Sequence, residues 1–378
     1  MAEFYRSETR SICDKGRRGE QRSPVMALID GVMVCVSAVV AALMLFTYLV
    51  PYLSTRGWLL PVLGLVAPAT YVVTVCLMLY WIIRWRWIWA SVMIVPVFIG
   101  LFYLNLFLRP EFRRDYGATV KGRDIVTVMT YNVRNFFASD GTCSRDSLLA
   151  WVRGVAPDIL CMQEFTPSTG GGTRELIDSL LAGYHSTPAD PRTGCVVYSR
   201  YPILRWGYVA DTSAIRSLWA DLSLTGDTLR VYTNHLHSTQ ITSADDEFLS
   251  PDRFLSDTAR EEKMRSIVRR FRDNCIARAA QADTVARAMA QSPYPRIVCG
   301  DFNDTPMSSV YHTMSHGVVD AFSEAGKGYS STYRGFSNML RIDFVLLSPR
   351  YEVLFYDTPD VDYSDHRPVV VKFRKRVN

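Results

Sequence analysis

Apolar positions fall into two regimes along the chain. Before Arg109 they form three long runs, roughly Val25–Val50, Trp58–Ile83 and Trp87–Leu108. Each reaches the length needed to cross a hydrocarbon core, about 20 residues, so the pattern predicts three transmembrane helices rather than a buried hairpin of a soluble protein. Asp30 is the one carboxylate inside these runs. Pro61, Pro68 and Pro96 are compatible with spans, because neighbouring helices can satisfy the carbonyls that proline frees. Trp81, Trp85, Trp87 and Trp89 crowd the second connection, as aromatic residues do at a membrane–water boundary. With three spans in succession, the first is not read as a cleaved signal peptide.

Beyond Arg109 the apolar residues come in short β-branched runs that alternate with helical spacing. Strands are expected at Ile125–Tyr131, Ile159–Met162, Cys195–Ser199, Leu218–Leu224, Leu229–His235, Arg296–Cys299, Ile342–Leu347 and Val369–Phe373. Gly226-Asp227 reads as a hairpin turn. Ser147–Val155 has helical spacing and is stopped by Pro157. The strongest helical pattern is Asp257–Gln291, with Met264, Ile267, Val268, Phe271, Cys275, Ala279, Ala282, Val285 and Met289 on one stripe. Arg260, Lys263, Arg265, Arg269, Arg270 and Arg272 fill its first half and read as a solvated face, with a face lying against acidic lipid as the alternative. Strands and helices interleave through both hairpins and crossovers, which predicts a two-sheet α/β sandwich. The chain then divides into a basic tail (1–24), a three-helix membrane segment (25–108), a linker (109–124) and a folded domain (125–378).

Charge sharpens this division. Residues 1–120 carry 12 Lys/Arg against 7 Asp/Glu, whereas the remaining 258 residues carry 30 of each. A neutral domain gives no support to non-specific nucleic-acid binding, which depends on many phosphate-neutralising cations. Six basic residues precede the first span, Arg84 and Arg86 fill the second loop, and Arg56 stands alone in the first. By the positive-inside rule the N-terminus is cytoplasmic and the folded domain lies outside, at a bacterial-type inner or plasma membrane. Arg109, Arg113 and Arg114, directly after the third span, pull the other way. The eight cysteines follow no metal-ligand spacing and no disulfide framework. Cys161 and Cys299 fall in apolar strands and are expected as buried thiols.

Polar residues recur at the ends of the expected strands: Asn132 after IVTVMTY, Glu164 after ILCMQ, Asn234 and His235 after LRVYT, Asp301 and Asn303 around RIVCG, Asp343 within RIDFVLL, and Asp365-His366 before the last strand. Carboxylates so placed suit a hard cation such as Mg²⁺, which takes one or two carboxylates together with phosphate oxygens and water. The segments MTYNVRNF, CMQEF, TNHLHS, GDFNDTP, RIDFVL and SDHRPV stand in the order found in the endonuclease/exonuclease/phosphatase superfamily, and over Ile125–Arg374 the chain resembles its members. The resemblance implies a four-layer α/β/β/α sandwich of the DNase I-like type and Mg²⁺- or Mn²⁺-dependent hydrolysis of a phosphoester by an activated water. It implies Glu164 as principal metal ligand with Asn132 beside it and Asp365 approaching the metal. It also implies His366 as the group that activates water, with Asp343 holding its imidazole, and Asp301 and Asn303 as positioning groups. His235 would donate to a phosphate oxygen or the leaving group, and Asn234 and Arg341 would contact substrate.

Two departures narrow the resemblance. Arg134 stands where abasic-site endonucleases have an acidic residue, and the signature words of the inositol polyphosphate 5-phosphatases are absent. The Gly170-Gly171-Gly172 loop lacks the Lys-Ser/Thr ending of a phosphate-binding P-loop and reads as a flexible loop. The expected function is therefore a membrane-anchored phosphoesterase acting on a phosphodiester or phosphomonoester, a lipid headgroup or a nucleotide. A membrane-tethered nuclease and a non-enzymatic membrane scaffold are the alternatives. The bilayer is the expected partner, and no protein partner is inferable. Substrate choice is expected in the stretches Pro167–Thr193 and Thr239–Asp257, since fold does not decide it.

Overall fold

A computed structural model describes residues 24–53, 59–110, 122, 124–210, 215–224, 226–238 and 257–376. The basic tail, most of the linker and, but for Asp257, the stretch Thr239–Asp257 lie outside the described residues. The three apolar runs form α1 (Pro24–Thr47), α2 (Leu59–Ile83) and α3 (Trp87–Leu104). All three are long and apolar enough to cross a membrane. Their outward faces carry exposed Val25, Leu28, Val39 and Phe102, a surface that lipid would cover. Between them Ala41, Leu77, Trp81, Ala90 and Met93 form a small core. Asp30 is buried and meets Arg84 at 2.9 Å and Arg86 at 3.4 Å, so the one carboxylate of the spans is neutralised by the loop between α2 and α3.

The chain then adds β1 (Leu108–Arg109), β2 (Ile125–Asn132), α4 (Arg145–Val155), β3 (Ile159–Gln163), α5 (Arg174–Leu180), β4 (His185–Ser186), β5 (Val196–Ser199), β6 (Ile203–Tyr208), β7 (Ser217–Leu224) and β8 (Asp227–His235). After these come α6 (Asp257–Ala290), β9 (Arg296–Asp301), α7 (Ser309–Met314), β10 (Val319–Asp320), α8 (Ala321–Ala325), β11 (Gly328–Tyr329), α9 (Gly335–Asn338), β12 (Asp343–Leu347), β13 (Tyr351–Asp357) and β14 (Val369–Lys375). One six-stranded sheet has the order β13-β14-β2-β3-β5-β4, and the other β10-β12-β9-β8-β7-β6. In each, the middle pair is parallel, β2 with β3 and β8 with β9, and its other pairs are antiparallel.

Alternation along the strands builds the layers. Val128, Cys161, Val231, Cys299, Val345 and Val371 face between the sheets. Met129, Tyr131, Leu160 and Met162 point outward against Leu148, Val152 and Ile177 of α4 and α5. On the other side Tyr232, Val298, Phe344 and Leu346 meet Ala279, Val285 and Met289 of α6 and Val310 and Met314 of α7. This is the expected four-layer α/β/β/α sandwich preceded by three apolar helices. Cys161 and Cys299 are buried thiols between the sheets, as expected. One position of the α6 stripe departs from expectation: Met264 is exposed, while burial starts at Ile267.

Candidate active site

Because the middle pair of each sheet is parallel, β2, β3, β8 and β9 all end on the same side of the sandwich. Side chains of one parity meet between the sheets, and along these strands that inward stripe changes character step by step. Val128, Ile159, Val231 and Ile297 form an aliphatic layer. The next residues inward-facing are Thr130, Cys161, Thr233 and Cys299, then Asn132, Gln163, His235 and Asp301, all aligned by register. The amide of Gln163 donates to Thr130 Oγ1 (3.0 Å) and Thr233 Oγ1 (2.9 Å), so it ties one sheet to the other. Above it Asn132 Nδ2 donates to Asp301 Oδ2 (3.0 Å) across the same gap.

Neighbouring strands complete the cluster. β12 runs antiparallel to β9 and begins where β9 ends, which sets Asp343 opposite Asp301. Thr332 Oγ1 accepts the backbone N–H groups of Ile342 and Asp343, both at 3.0 Å. His366, just before β14, is fixed by its N–H to Ser364 Oγ, which itself donates to the Asn132 carbonyl at 2.7 Å. The His366 ring lies 2.9 Å from Asp343 Oδ2 through Nδ1, and its Nε2 faces Asp301 Oδ2 at 3.8 Å. Tyr333 packs on the ring with centroids 5.0 Å apart.

Two residues reach the site only because the backbone turns. Glu164 follows the inward Gln163, so strand alternation alone would send it away. Its φ of 50° is left-handed, and its Oε1 sits 3.1 Å from Asn132 Nδ2 and 3.5 Å from His235 Nε2. Asn303 has φ 52°, a conformation asparagine tolerates better than most residues. Its Nδ2 donates to the Leu236 carbonyl (3.0 Å) and Asp301 Oδ2 (3.1 Å), and its N–H to Asp301 Oδ1 (2.8 Å). Gly300 makes this possible: a Cβ there would stand 2.1 Å from the Asn234 carbonyl oxygen, at φ 118°.

Electrostatics follow from burying like charges together. Burial pushes Asp301 up to about 7, and the nearby Asp343 carboxylate adds to it. For His366 burial works against the charge, but Asp343 and Asp301 outweigh it and raise the pKa to about 10. His235 goes the other way, pushed down to about 4 by burial despite Glu164. Asp301, Asp343 and His366 present ligand-type atoms within 4.8 Å of one another. Asp343 Oδ1 is buried with no hydrogen-bond partner among the described residues. An orphaned carboxylate oxygen, three converging carboxylates (Glu164, Asp301, Asp343) and amide oxygens make a donor set that fits a hard divalent cation.

The structure thus brings Asn132, Glu164, His235, Asp301, Asn303, Asp343 and His366 together. Asp365 stands beside them, with Oδ2 3.4 Å from Arg134 Nε, so its charge is already engaged by a cation. Asn234 is a correction: it has the parity of Tyr232 and Leu236, faces the helix side, and donates to the Cys299 carbonyl at 3.0 Å. Arg341 is another. It is buried, paired with Asp320 at 2.9 Å, bonded to the Leu106 carbonyl and packed between Phe322 and Phe344, so it holds the domain to the chain that leaves the third apolar helix. Gly170–Gly172 packs on Arg145, whose Nη1 donates to the Thr169 carbonyl.

Sequence reasoning missed Gln163, Ser364 and Thr332, and also Arg278. This arginine is buried in α6, donates to Asp304 (3.1 Å) and to the His237 carbonyl (2.9 Å), and so braces the loops after both β8 and β9. The signal was present: position 278 falls on the buried stripe between Cys275 and Ala282.

The chain is thus a four-layer sandwich with a carboxylate–imidazole–amide cluster at the ends of two parallel strand pairs. Residues 129–366 match the model of the endonuclease/exonuclease/phosphatase family, and the chain belongs to that family. Residues 30–107 match a domain of unknown function (DUF8431). No curated protein matches significantly. Solved structures it resembles include an endonuclease/exonuclease/phosphatase family protein from Bacteroides thetaiotaomicron (18% identity, 67% of this chain, 98% of that one, TM-score 0.48). A mannosyl-6-phosphatase from the same species is similar at 20% identity over 66% of this chain and 99% of that one, TM-score 0.47. The human Nocturnin catalytic domain with bound sulfate is similar at 18% identity over 68% and 97%, TM-score 0.45.

Proposed function

We propose that this protein is a membrane-anchored, divalent-metal-dependent phosphoesterase that cleaves a P–O bond by attack of water. The observation that carries this reading is the His366–Asp343 contact of 2.9 Å, which bridges the two sheets and is aimed at Asp301, with Asn132 and Glu164 on the sheet that carries His366. A cation held by Glu164 and Asn132 would supply Lewis-acid charge to the phosphoryl oxygens and offset the field of the carboxylates. At a pKa of about 10 the His366 ring holds both protons at neutral pH, so it would serve as a base only where a bound cation lowers that value. With Nδ1 given to Asp343, Nε2 is then the atom left to take a proton from water. Asp343 stabilises the imidazolium so formed, and Asp301 and Asn303 orient the attacking water and the phosphate. Water's oxygen bonds to phosphorus as the P–O bond to the ester oxygen breaks. The leaving oxygen takes its proton from solvent or from the His366 imidazolium, and neutral His235 is placed to offer a hydrogen bond to it or to a phosphoryl oxygen.

The domain joins the helices at the end opposite the Arg84–Arg86 loop, which supports a catalytic domain outside the cytoplasm by the positive-inside rule. The test is turnover by the full chain in nanodiscs with Mg²⁺ or Mn²⁺, offered bis-p-nitrophenyl phosphate, p-nitrophenyl phosphate, plasmid DNA and lipid phosphoesters. Metal-dependent cleavage that is lost in His366→Ala supports the proposal. DNA as the preferred substrate would move it to a nuclease, and equal rates in His366→Ala would overturn it.

A further inference from the structure

The catalytic end of the sandwich is also the end that rests on the membrane helices. Thr305 Oγ1 donates to the Gly64 carbonyl at 3.2 Å. A Cβ at Gly64 would come within 2.9 Å of the Met307 carbonyl oxygen, so the contact is backbone-close. β11 pairs with β1, and Tyr52 meets His312 with ring centroids 4.8 Å apart. Thr305 and Met307 lie on the loop leaving Asn303. Tyr329 leads within a few residues to Thr332 and Tyr333, which hold Asp343 and His366.

Beside these contacts lies a half-open cavity of about 270 Å³, walled by Tyr48, Ala67, Tyr71 and Leu104 of the membrane segment and by Met307 and Tyr329 of the catalytic domain. Its wall is apolar, because the tyrosine hydroxyls are turned into backbone carbonyls: Tyr48 to Pro96 (2.7 Å), Tyr71 to Val97 (3.2 Å), Tyr103 to Tyr48 (3.4 Å) and Tyr329 to Met339. Val72 and Leu108, 60% and 41% exposed, rim it on the outer surface of the bundle. Tyr48, Tyr52 and Tyr103 mark this end of the spans, as the tryptophans mark the other, so the cavity runs from the boundary between hydrocarbon and headgroups into the hydrocarbon, toward mid-span Tyr71 and Val72. A dry cavity of 150 Å³ accepts benzene; this one has room for on the order of ten carbons.

We propose that this cavity is an acyl-chain subsite of the active site, taking the hydrocarbon tail of a membrane lipid whose phosphoester is the substrate. The inference rests on the phosphoesterase reading and names its substrate class. Its occupant follows from position, since the rim opens where the bilayer's chains lie and the wall offers no polar group to a headgroup. Reach is also adequate: Met307 is four residues beyond Asn303, at most ~14 Å of extended chain.

Two measurements test it on the full chain held in lipid-free amphipol. Decyl phosphate is titrated into the His366→Ala chain by native mass spectrometry, alone and with Val72→Trp or Leu104→Trp, which fill the cavity from different helices. One decyl phosphate per chain is expected, with affinity falling at least tenfold in both filled variants. The unmodified chain is then assayed on p-nitrophenyl alkyl phosphates from ethyl to dodecyl. kcat/KM is expected to rise by up to about fourfold per methylene, the equivalent of about 0.8 kcal/mol, and to level off near ten carbons. The decyl-to-ethyl ratio should collapse in the filled variants.

Equal decyl phosphate binding with and without the fillings would overturn the proposal. So would a flat chain-length profile with the ethyl ester still hydrolysed, which leaves the phosphoesterase reading intact. Filling-sensitive binding with no ester hydrolysed at any length would overturn the phosphoesterase reading and, with it, the claim that the bound lipid is a substrate.

Discussion

Arg278 is the residue whose loss has the most calculable consequence. Its side chain and that of Asp304 are 2% and 7% exposed and meet at 3.1 Å. Arg278 also donates to the His237 carbonyl and Cys275 Sγ. Arg278→Met keeps the apolar stem and removes the charge, leaving a buried carboxylate whose remaining backbone partner is the Thr305 N–H. Breaking one side of a buried pair costs about 3–5 kcal/mol, and in a domain of this size each kcal/mol moves Tm by about 2–4 °C. The expected loss is therefore about 6–20 °C, read by thermal unfolding of the full chain in detergent.

Asp304 gives that loss a pH signature. Burial raises its pKa, with Arg278 opposing. A raised carboxyl pKa makes the ionised form a cost that is present above the folded pKa and vanishes as the group protonates. Without Arg278 the pKa climbs further, so the deficit is largest at pH 8 and shrinks toward pH 5. Adding Asp304→Asn should recover more than half of it. A Tm shift below 2 °C, or a deficit that grows on acidification, would refute the reasoning.

The remaining expectations concern the cluster itself. Asp343→Asn removes the carboxylate from His366 Nδ1 and should lower kcat by about 10²–10⁴-fold, measured on any substrate that the full chain turns over; a change under threefold would exclude the dyad. Glu164→Ala should abolish turnover while leaving Tm nearly unchanged, and His366→Ala should abolish it while lowering Tm, because Asp343 then stays buried without its 2.9 Å partner; retained activity in both would sink the assignment. Chelation with EDTA should stop turnover, Mg²⁺ or Mn²⁺ should restore it, and metal should raise Tm as any ligand of the folded state does. An EDTA-insensitive rate and Tm would remove the metal from the scheme.

Much of this was legible because strands announce themselves by β-branched runs and the site lies at their ends. The limits of legibility were geometric. Asn234 and His235 are adjacent in sequence, and only strand parity separates them: Val231, Thr233 and His235 face between the sheets, whereas Tyr232 and Asn234 face the helices. Arg341 adjoins Ile342 and Asp343, yet it precedes the start of β12 and swings to Asp320, a partner 21 positions away that no local pattern points to. Thr332 and Ser364 act through backbone groups, Thr332 accepting Asp343 N–H and Ser364 donating to the Asn132 carbonyl. A hydroxyl in that role has no sequence spacing to betray it. The three apolar helices were read from length and apolarity alone, but the contact of Gly64 with Met307 joins positions separated by the whole linker and most of the sandwich domain.

The same alternation that makes the core also explains why the site can exist where it does. A sheet interior tolerates polar groups only when they are bonded, and the inward stripe supplies partners in graded layers, with Thr130–Gln163–Thr233 beneath Asn132–Asp301. That rigid ladder is what holds like charges and left-handed backbone in place, since a non-glycine residue at positive φ costs roughly 1–2 kcal/mol and an isolated loop would relax. Glu164 and Asn303 each bear such a conformation one or two residues past a central strand, in opposite sheets. Both are anchored there by neighbours, Glu164 through the Asn135 N–H to its carbonyl (2.9 Å) and Asn303 through Asp301. A carboxylate set on the end of a parallel pair is thus stationary with respect to the histidine facing it, and the loops beyond remain free to seat the domain against the apolar helices without moving the cluster.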